Sequence, residues 1–210
     1  MTNNPHSPWK VQLGKLNNDE WAADVTFAGL SDEQWAVVRS LAEKYAKFNS
    51  RVCPPVSVSD GNHRLRFRLG HAMEKLQAVD KLSSVECEML RNNLVGVCEG
   101  LHKHGLGLRY LDRELVWKVD GSFAFVPVFW LPALPEVVAK LPGIAPECTP
   151  ETMAEPSTKA DIYAIASFCY QSLTGREHDA NDVVLPGDID PTLRTWDTIL
   201  DPRIFAFLPP

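Results

Sequence analysis

From Asp161 to Gly175 the chain reads Asp-Ile-Tyr-Ala-Ile-Ala-Ser-Phe-Cys-Tyr-Gln-Ser-Leu-Thr-Gly. No other stretch constrains the fold as much. The segment has helical character but almost no polar stripe, and a helix that is hydrophobic all round is stable only when other elements cover it. Gly175 supplies the stop signal. A chain of 210 residues is long enough to provide the cover, as one domain or as two small lobes sharing an interface.

The rest of the sequence supplies strands first and helices later. Trp9-Lys-Val-Gln-Leu13 and Ala23-Asp-Val-Thr-Phe27 flank the polar Asn17-Asn-Asp-Glu20 and read as a hairpin. Ser31 then caps a helix expected to reach about Phe48, with Asp32 and Glu33 at the positive end of its dipole and Trp35, Val38, Leu41 and Tyr45 on one face. A second hairpin joins Val56-Ser-Val58 to Leu65-Arg-Phe-Arg-Leu69 across Asp60-Gly-Asn62. In its second strand Leu65, Phe67 and Leu69 alternate with Arg64, Arg66 and Arg68, the pattern of a half-buried strand with a basic outer face. A short helical segment from His71 to about Val79 is predicted next. A long helix from Ser83 or Ser84 to His102 follows, with Val85, Met89, Leu90, Leu94, Val97, Cys98 and Leu101 as its apolar stripe. Glu114–Trp117 and Phe123–Val126, joined by Asp120-Gly121, read as a third hairpin. Pro127 to Pro156 has little regular pattern, and after Gly175 one helix is expected over Pro191 to about Leu200. The fold class is α+β.

Composition removes several functions. With 21 basic and 27 acidic side chains the formal charge is −6 and the pI near 5.5, which argues against a general nucleic-acid binder. Pro127, Pro132 and Pro135 cut the longest apolar runs well short of the ~20 residues of a membrane span. The start, Met-Thr-Asn-Asn-Pro-His-Ser-Pro-Trp-Lys, lacks the basic-then-apolar form of a secretory signal, so a soluble cytoplasmic protein is expected. Cys53, Cys87, Cys98, Cys148 and Cys169 are odd in number and lack C-x-x-C spacing, which suits a reducing compartment and buried thiols. No cofactor or metal is expected. His102 and His104 have no nearby third ligand and read as surface or loop residues. Asp179, Asp182, Asp188 and Asp190 lack the ordered spacing of a calcium loop.

Two segments carry a resemblance. Ala145-Pro146-Glu147 is followed, 14 residues on, by Asp161-Ile-Tyr and then by Leu173-Thr-Gly175. This is similar to the end of the activation segment and the following buried helix of the eukaryotic-type protein kinase family. Upstream, Gly100-Leu-His-Lys-His-Gly105 resembles the end of that family's long C-lobe helix. The element order is similar too, over residues 9–203. The resemblance implies a kinase-like fold with a reduced N-lobe at 1–70 and a truncated helical C-lobe at 71–210. It also implies structural roles for Ala145, Pro146 and Glu147, with Glu147 pairing to a late arginine such as Arg203, and for Asp161 bonded to the catalytic-loop backbone.

The chemistry-bearing positions depart from that family. Phosphoryl transfer is mostly positioning and charge neutralisation, so each missing group matters. The front hairpin offers only Gly14 in place of a glycine-rich loop, and Ala23–Phe27 has Asp24 but no lysine to hold phosphates. The catalytic loop maps onto Leu108-Arg109-Tyr110, which puts a phenol with pKa ~10 where a carboxylate base belongs. The metal-binding Asn becomes Leu115, and the Asp-Phe-Gly turn becomes Pro127-Val128-Phe129. Such a chain resembles a pseudokinase: a binding module or scaffold that engages a protein partner without phosphoryl transfer. Compact kinase-like proteins of this sort resemble bacterial or phage effectors and secretion-related components. An atypical nucleotide-dependent transferase using Asp112 or Asp120 is the alternative.

Partner-binding candidates follow from composition. The Trp130-Leu131 segment either fills a vacated nucleotide cleft or forms a docking surface, and Phe205 and Phe207 in the tail carry the same two readings. Arg64, Arg66 and Arg68 form either a solvated strand face or a site for an acidic or phosphorylated partner, because arginine forks match such groups.

Overall fold

The computed structural model describes residues 8–16, 20–70, 77–78, 82–119, 121–138, 140–141, 144–145, 148–149, 152–176 and 184–201. Strands β1 (Trp9–Lys15) and β2 (Trp21–Phe27) form the expected hairpin, each longer than the alternation alone marks. β3 (Val56–Ser59) and β4 (Arg64–Gly70) form the second, and β4 also pairs antiparallel with β2. The sheet order is β1-β2-β4-β3. This register places Val11, Val25, Leu65 and Val58 in one row across the inner face, and Leu13, Ala23, Phe67 and Val56 in the next.

Helix α1 (Asp32–Tyr45) connects the two hairpins. Ser31 and Gln34 form a reciprocal capping box at its start, and Trp35, Val38, Ala42 and Tyr45 are buried, each about one turn from the next. The helix ends at Tyr45 rather than Phe48, because the Lys47 and Phe48 amides bond three residues back in a tighter turn.

Beyond β4 the chain becomes mainly helical. Gln77–Ala78 is a strand, β5, pairing with β6 (Val116–Val119), which in turn pairs with β7 (Ser122–Phe125). The helix predicted over His71–Val79 is therefore wrong at residues 77–78, and its remainder lies outside the described residues. Between β5 and β6 runs α2 (Ser84–His102), capped reciprocally by Ser83 and Glu86. Glu86 also pairs with Lys118 of β6, which holds the helix start against the small sheet. Val85, expected in the apolar stripe, stands exposed in the first turn, while Cys87, Leu90, Leu94, Val97, Cys98 and Leu101 are buried.

Three short helices accompany one long, buried helix. They are α3 (Pro135–Val138), α5 (Pro186–Ile189) and α6 (Asp197–Leu200), and the long one is α4 (Thr158–Thr174). Ser157 caps α4 on the Ala160 amide, so the helix starts one turn before Asp161, and Gly175 closes it at φ 74°. Both Asp161 and most of the residues behind it are buried, as the missing polar stripe requires. The helix expected over Pro191–Leu200 resolves into a 3-10 turn, Pro191–Trp196, followed by α6. α2 packs on one side of α4, with α5 and α6 on others. One continuous hydrophobic core runs from Trp9 in the large sheet to Leu200 in the last helix. All five cysteines carry free thiols, and all but Cys148 are buried. Among the described residues no helix is long and apolar enough to cross a membrane.

Candidate functional site

Two groups of buried side chains meet on the segment between α2 and α3. The first is polar. Asp161, in the first turn of α4, accepts from the Arg109 amide at 2.9 Å and from His102 Nε2 at 2.7 Å. Arg109 takes a left-handed φ of 49°, which turns its amide toward the carboxylate. Its guanidinium is buried as well, donating to the Thr152 carbonyl at 3.1 Å, and burial lowers its pKa below the ordinary arginine value. Gly107 is required here: a Cβ would lie 2.8 Å from Arg109 Nε and 3.3 Å from Asp161 Oδ1. The hub thus ties the ends of α2 and α4 to the intervening loop. His102, read from the sequence as a surface or loop residue, belongs to it.

The second group is aromatic and lies between the large sheet and the helical region. The Trp130 side chain is 0% exposed. Its ring meets Trp9 at 5.7 Å and Phe27 at 5.6 Å, both edge-on, and Phe67 at 6.3 Å. Phe129 stacks on Tyr45 of α1 at 4.8 Å between ring centroids. Aromatic rings at such distances and tilts attract beyond the area they bury. Trp9 Nε1 donates to Asp112 Oδ2 at 2.8 Å, and the Glu114 amide donates to Asp112 Oδ1 at 3.0 Å. Burial raises the Asp112 pKa above the ordinary carboxylate value, and burial together with Asp112 raises Glu114. The Trp130 indole N–H is buried with no hydrogen-bond partner.

Several sequence-derived site residues lie in the protein interior. Leu108, Tyr110, Leu115, Pro127, Val128 and Phe129 are all buried, so they are core. Trp130 and Leu131 are fully buried, which removes the docking-surface reading of that pair and leaves the core-filling one. Ala145 is buried, whereas Pro146, Glu147, Arg203, Phe205, Phe207 and Asp120 lie outside the described residues. The arginine row is not simply solvated: Arg66 binds Asp24 through two contacts, Nε at 2.6 Å and Nη2 at 2.7 Å, and Arg64 Nη1 approaches the same carboxylate at 3.4 Å. Arg68 is exposed. Burial pushes the Cys53 thiol up to about 12 and the Cys98 thiol further, so neither is a thiolate at neutral pH.

Sequence reasoning missed Trp9 as the partner of Asp112, and Asp24 as the partner of the arginines. The second was readable in principle, since β2 and β4 both alternate and place opposite charges on one face.

The chain has a protein kinase-like fold. That follows from solved structures, among them the PknI kinase domain of Mycobacterium tuberculosis, which is 16% identical. It superposes with a TM-score of 0.67 over 95% of this chain and 88% of that one. A single-substitution variant of the same domain matches at a TM-score of 0.61 with 16% identity, covering 93% of this chain and 86% of that one. The Neurospora crassa PAN3 pseudokinase matches at a TM-score of 0.55 with 11% identity, over 98% of this chain and 53% of the other. No protein-family model and no curated protein matches the sequence. Kinase-like here describes architecture, and both a kinase domain and a pseudokinase share it.

Proposed function

We propose that this protein is a pseudokinase: a cytoplasmic, kinase-like binding module that engages a protein partner and does not transfer phosphate. The observation that carries the reading is the aromatic wedge. Trp130 and Phe129 occupy the space between the two layers and touch Trp9, Phe27, Phe67 and Tyr45 directly.

A nucleotide with its magnesium does not fit the residues present. Ala23 and Val25 are the inward residues of β2, and its one charged group, Asp24, is an acid facing outward, so the strand offers phosphates no cation. Leu115 and the Pro127-Val128-Phe129 turn are apolar where a cation needs oxygen ligands. Asp112, the carboxylate of the transferase alternative, is 3% exposed and committed to Trp9 and Glu114. A base held this way has no path to a substrate hydroxyl. The PAN3 neighbour is itself a pseudokinase, so the architecture accommodates this kind of protein.

Thermal unfolding with and without millimolar ATP, ADP or GTP and Mg²⁺ or Mn²⁺ tests the reading. A ligand at 100 times its dissociation constant adds about 2.7 kcal/mol of stability. The expected outcome is no shift with any of them. A metal-dependent rise that disappears in Asp112→Asn or Asp120→Asn would replace the binding module with a transferase.

A further inference from the structure

The outer face of the large sheet has an ordered arrangement of charge. Register places Lys10, Thr26, Arg64 and Ser59 in one row; Gln12, Asp24, Arg66 and Ser57 in the next; and Gly14, Ala22 and Arg68 in a third. Four cations therefore share a face with one carboxylate, on a chain whose formal charge is −6. The remaining side chains of these rows are small or uncharged; Ala22 is buried, and Arg64 and Arg66 are partly exposed.

Asp24 does not cancel this face; it organises it. The carboxylate takes Nε and Nη2 of Arg66 and one contact from Arg64. A guanidinium has five N–H donors in a fixed fork, so terminal N–H groups not taken by Asp24 remain on both arginines while their positions are held; Arg64 Nε is itself buried. Arg68 and Lys10 extend the charge to exposed positions on either side.

We propose that this face docks an extended, acidic protein segment with carboxylates at alternate residues. The proposal deepens the binding-module reading by giving the partner its chemistry. Arg64, Arg66 and Arg68 alternate along β4, which sets them about 7 Å apart, the same two-residue period as an extended peptide. Each carboxylate of such a segment then faces a guanidinium, whose fork matches a carboxylate. Because Asp24 already holds two of the arginines, less side-chain freedom is lost on binding. A short segment also feels mainly the charges within about 8 Å of it, whereas a nucleic acid or an anionic bilayer meets the net negative charge of the whole chain.

The test uses the full chain and a fluorescently labelled peptide of alternating Glu and Ser, followed by anisotropy at rising salt. Wild type is expected to bind, and to bind more weakly as salt rises. The double variant Lys10→Glu with Arg68→Glu changes only exposed side chains outside the Asp24 cluster, and is expected to lose about tenfold or more in affinity. Lys47→Glu, an exposed cation off the sheet, is expected to change affinity less than twofold. Unfolding curves establish that both variants fold. Undiminished binding by the double variant would overturn the proposal. So would a wild-type protein indifferent to the peptide at low salt, a need for phosphoserine in place of Ser, or tighter binding to a DNA oligomer or phosphatidylserine vesicle that the same double variant abolishes. Repeating the titration with Mg²⁺-ATP separates the two readings. A nucleotide-stabilised protein that still binds the peptide contradicts the pseudokinase reading alone, and a nucleotide-blind protein that ignores the peptide contradicts the docking face alone.

Discussion

Asp161 and Asp112 are both buried carboxylates on either side of the same loop, and they hold different things together. Asp161 joins three parts of the helical region: the end of α2 through His102, the loop through the Arg109 amide, and α4, which carries it. Asp112 reaches out of that region, accepting from Trp9 in the first strand of the large sheet. Around Asp161 the chain satisfies polar groups one by one. Around Asp112 it stacks rings, with Trp130 at the centre. The first arrangement sets a geometry within a layer, and the second seals two layers together. A carboxylate meeting the backbone thus holds the helical region, while packed aromatic rings fill the space between it and the large sheet.

Removing the centre of the seal should have the largest effect. Trp130→Ala deletes a fully buried indole with ring contacts to Trp9, Phe27, Phe67 and Phe129, and is expected to cost about 3–5 kcal/mol in urea unfolding. The space left is lined by aromatic rings, so benzene or indole should raise the melting temperature of the variant and leave wild type unchanged. Trp130→Phe keeps most of the wedge and is expected to cost less than half as much. A loss under about 1 kcal/mol for Trp130→Ala would mean the sheet and helices do not depend on this contact, and the comparison would collapse.

The hub comes next. Asp161→Ala leaves the buried Arg109 amide without its acceptor and His102 without its partner, and is expected to cost about 2–3 kcal/mol. Asp161→Asn keeps an oxygen for the amide and gives up the charge, so roughly half that loss should be recovered. Equal losses for Ala and Asn would show that the charge matters rather than the backbone acceptor. A loss larger than that of Trp130→Ala would reverse the ranking of hub and seal.

How much of this the sequence reveals depends on how local the cause is. The burial of α4 is legible because the missing polar stripe is written in consecutive residues, and the two hairpins are legible from strict alternation in β4 and a turn at Asp60-Gly61-Asn62. β5 is two residues long and exists because Gln77 and Ala78 pair with Lys118 and Trp117, far along the chain. Short helices such as α3 and α5 depend in the same way on tertiary contacts. Trp130 is legible as a large hydrophobe but not as core or surface, since the same residues make both. His102 gains its role from Asp161, 59 residues later, and no periodicity on α2 marks it. The pairing of Asp24 with Arg66 waits on the register of β2 against β4 across 42 positions.

The smallest expected effect is the response of the Asp112 seal to pH. Burial raises the Asp112 pKa above its ordinary value of 3.8, so over the interval between that value and the raised one the folded protein binds more protons than the unfolded chain. Stability attributable to this group is therefore full below pH 3.8 and is lost as pH rises through the folded pKa. Asp112→Asn removes the titration while keeping one acceptor for Trp9 or Glu114. Its deficit relative to wild type, expected at about 1 kcal/mol in acid, should shrink as pH rises toward neutrality. Urea unfolding of the two proteins from acid to neutral pH measures this directly. A deficit that grows with pH would mean that the ionised Asp112 is stabilised by Trp9 and the Glu114 amide beyond the cost of its burial. The seal would then be built on a charge as well as on stacked rings.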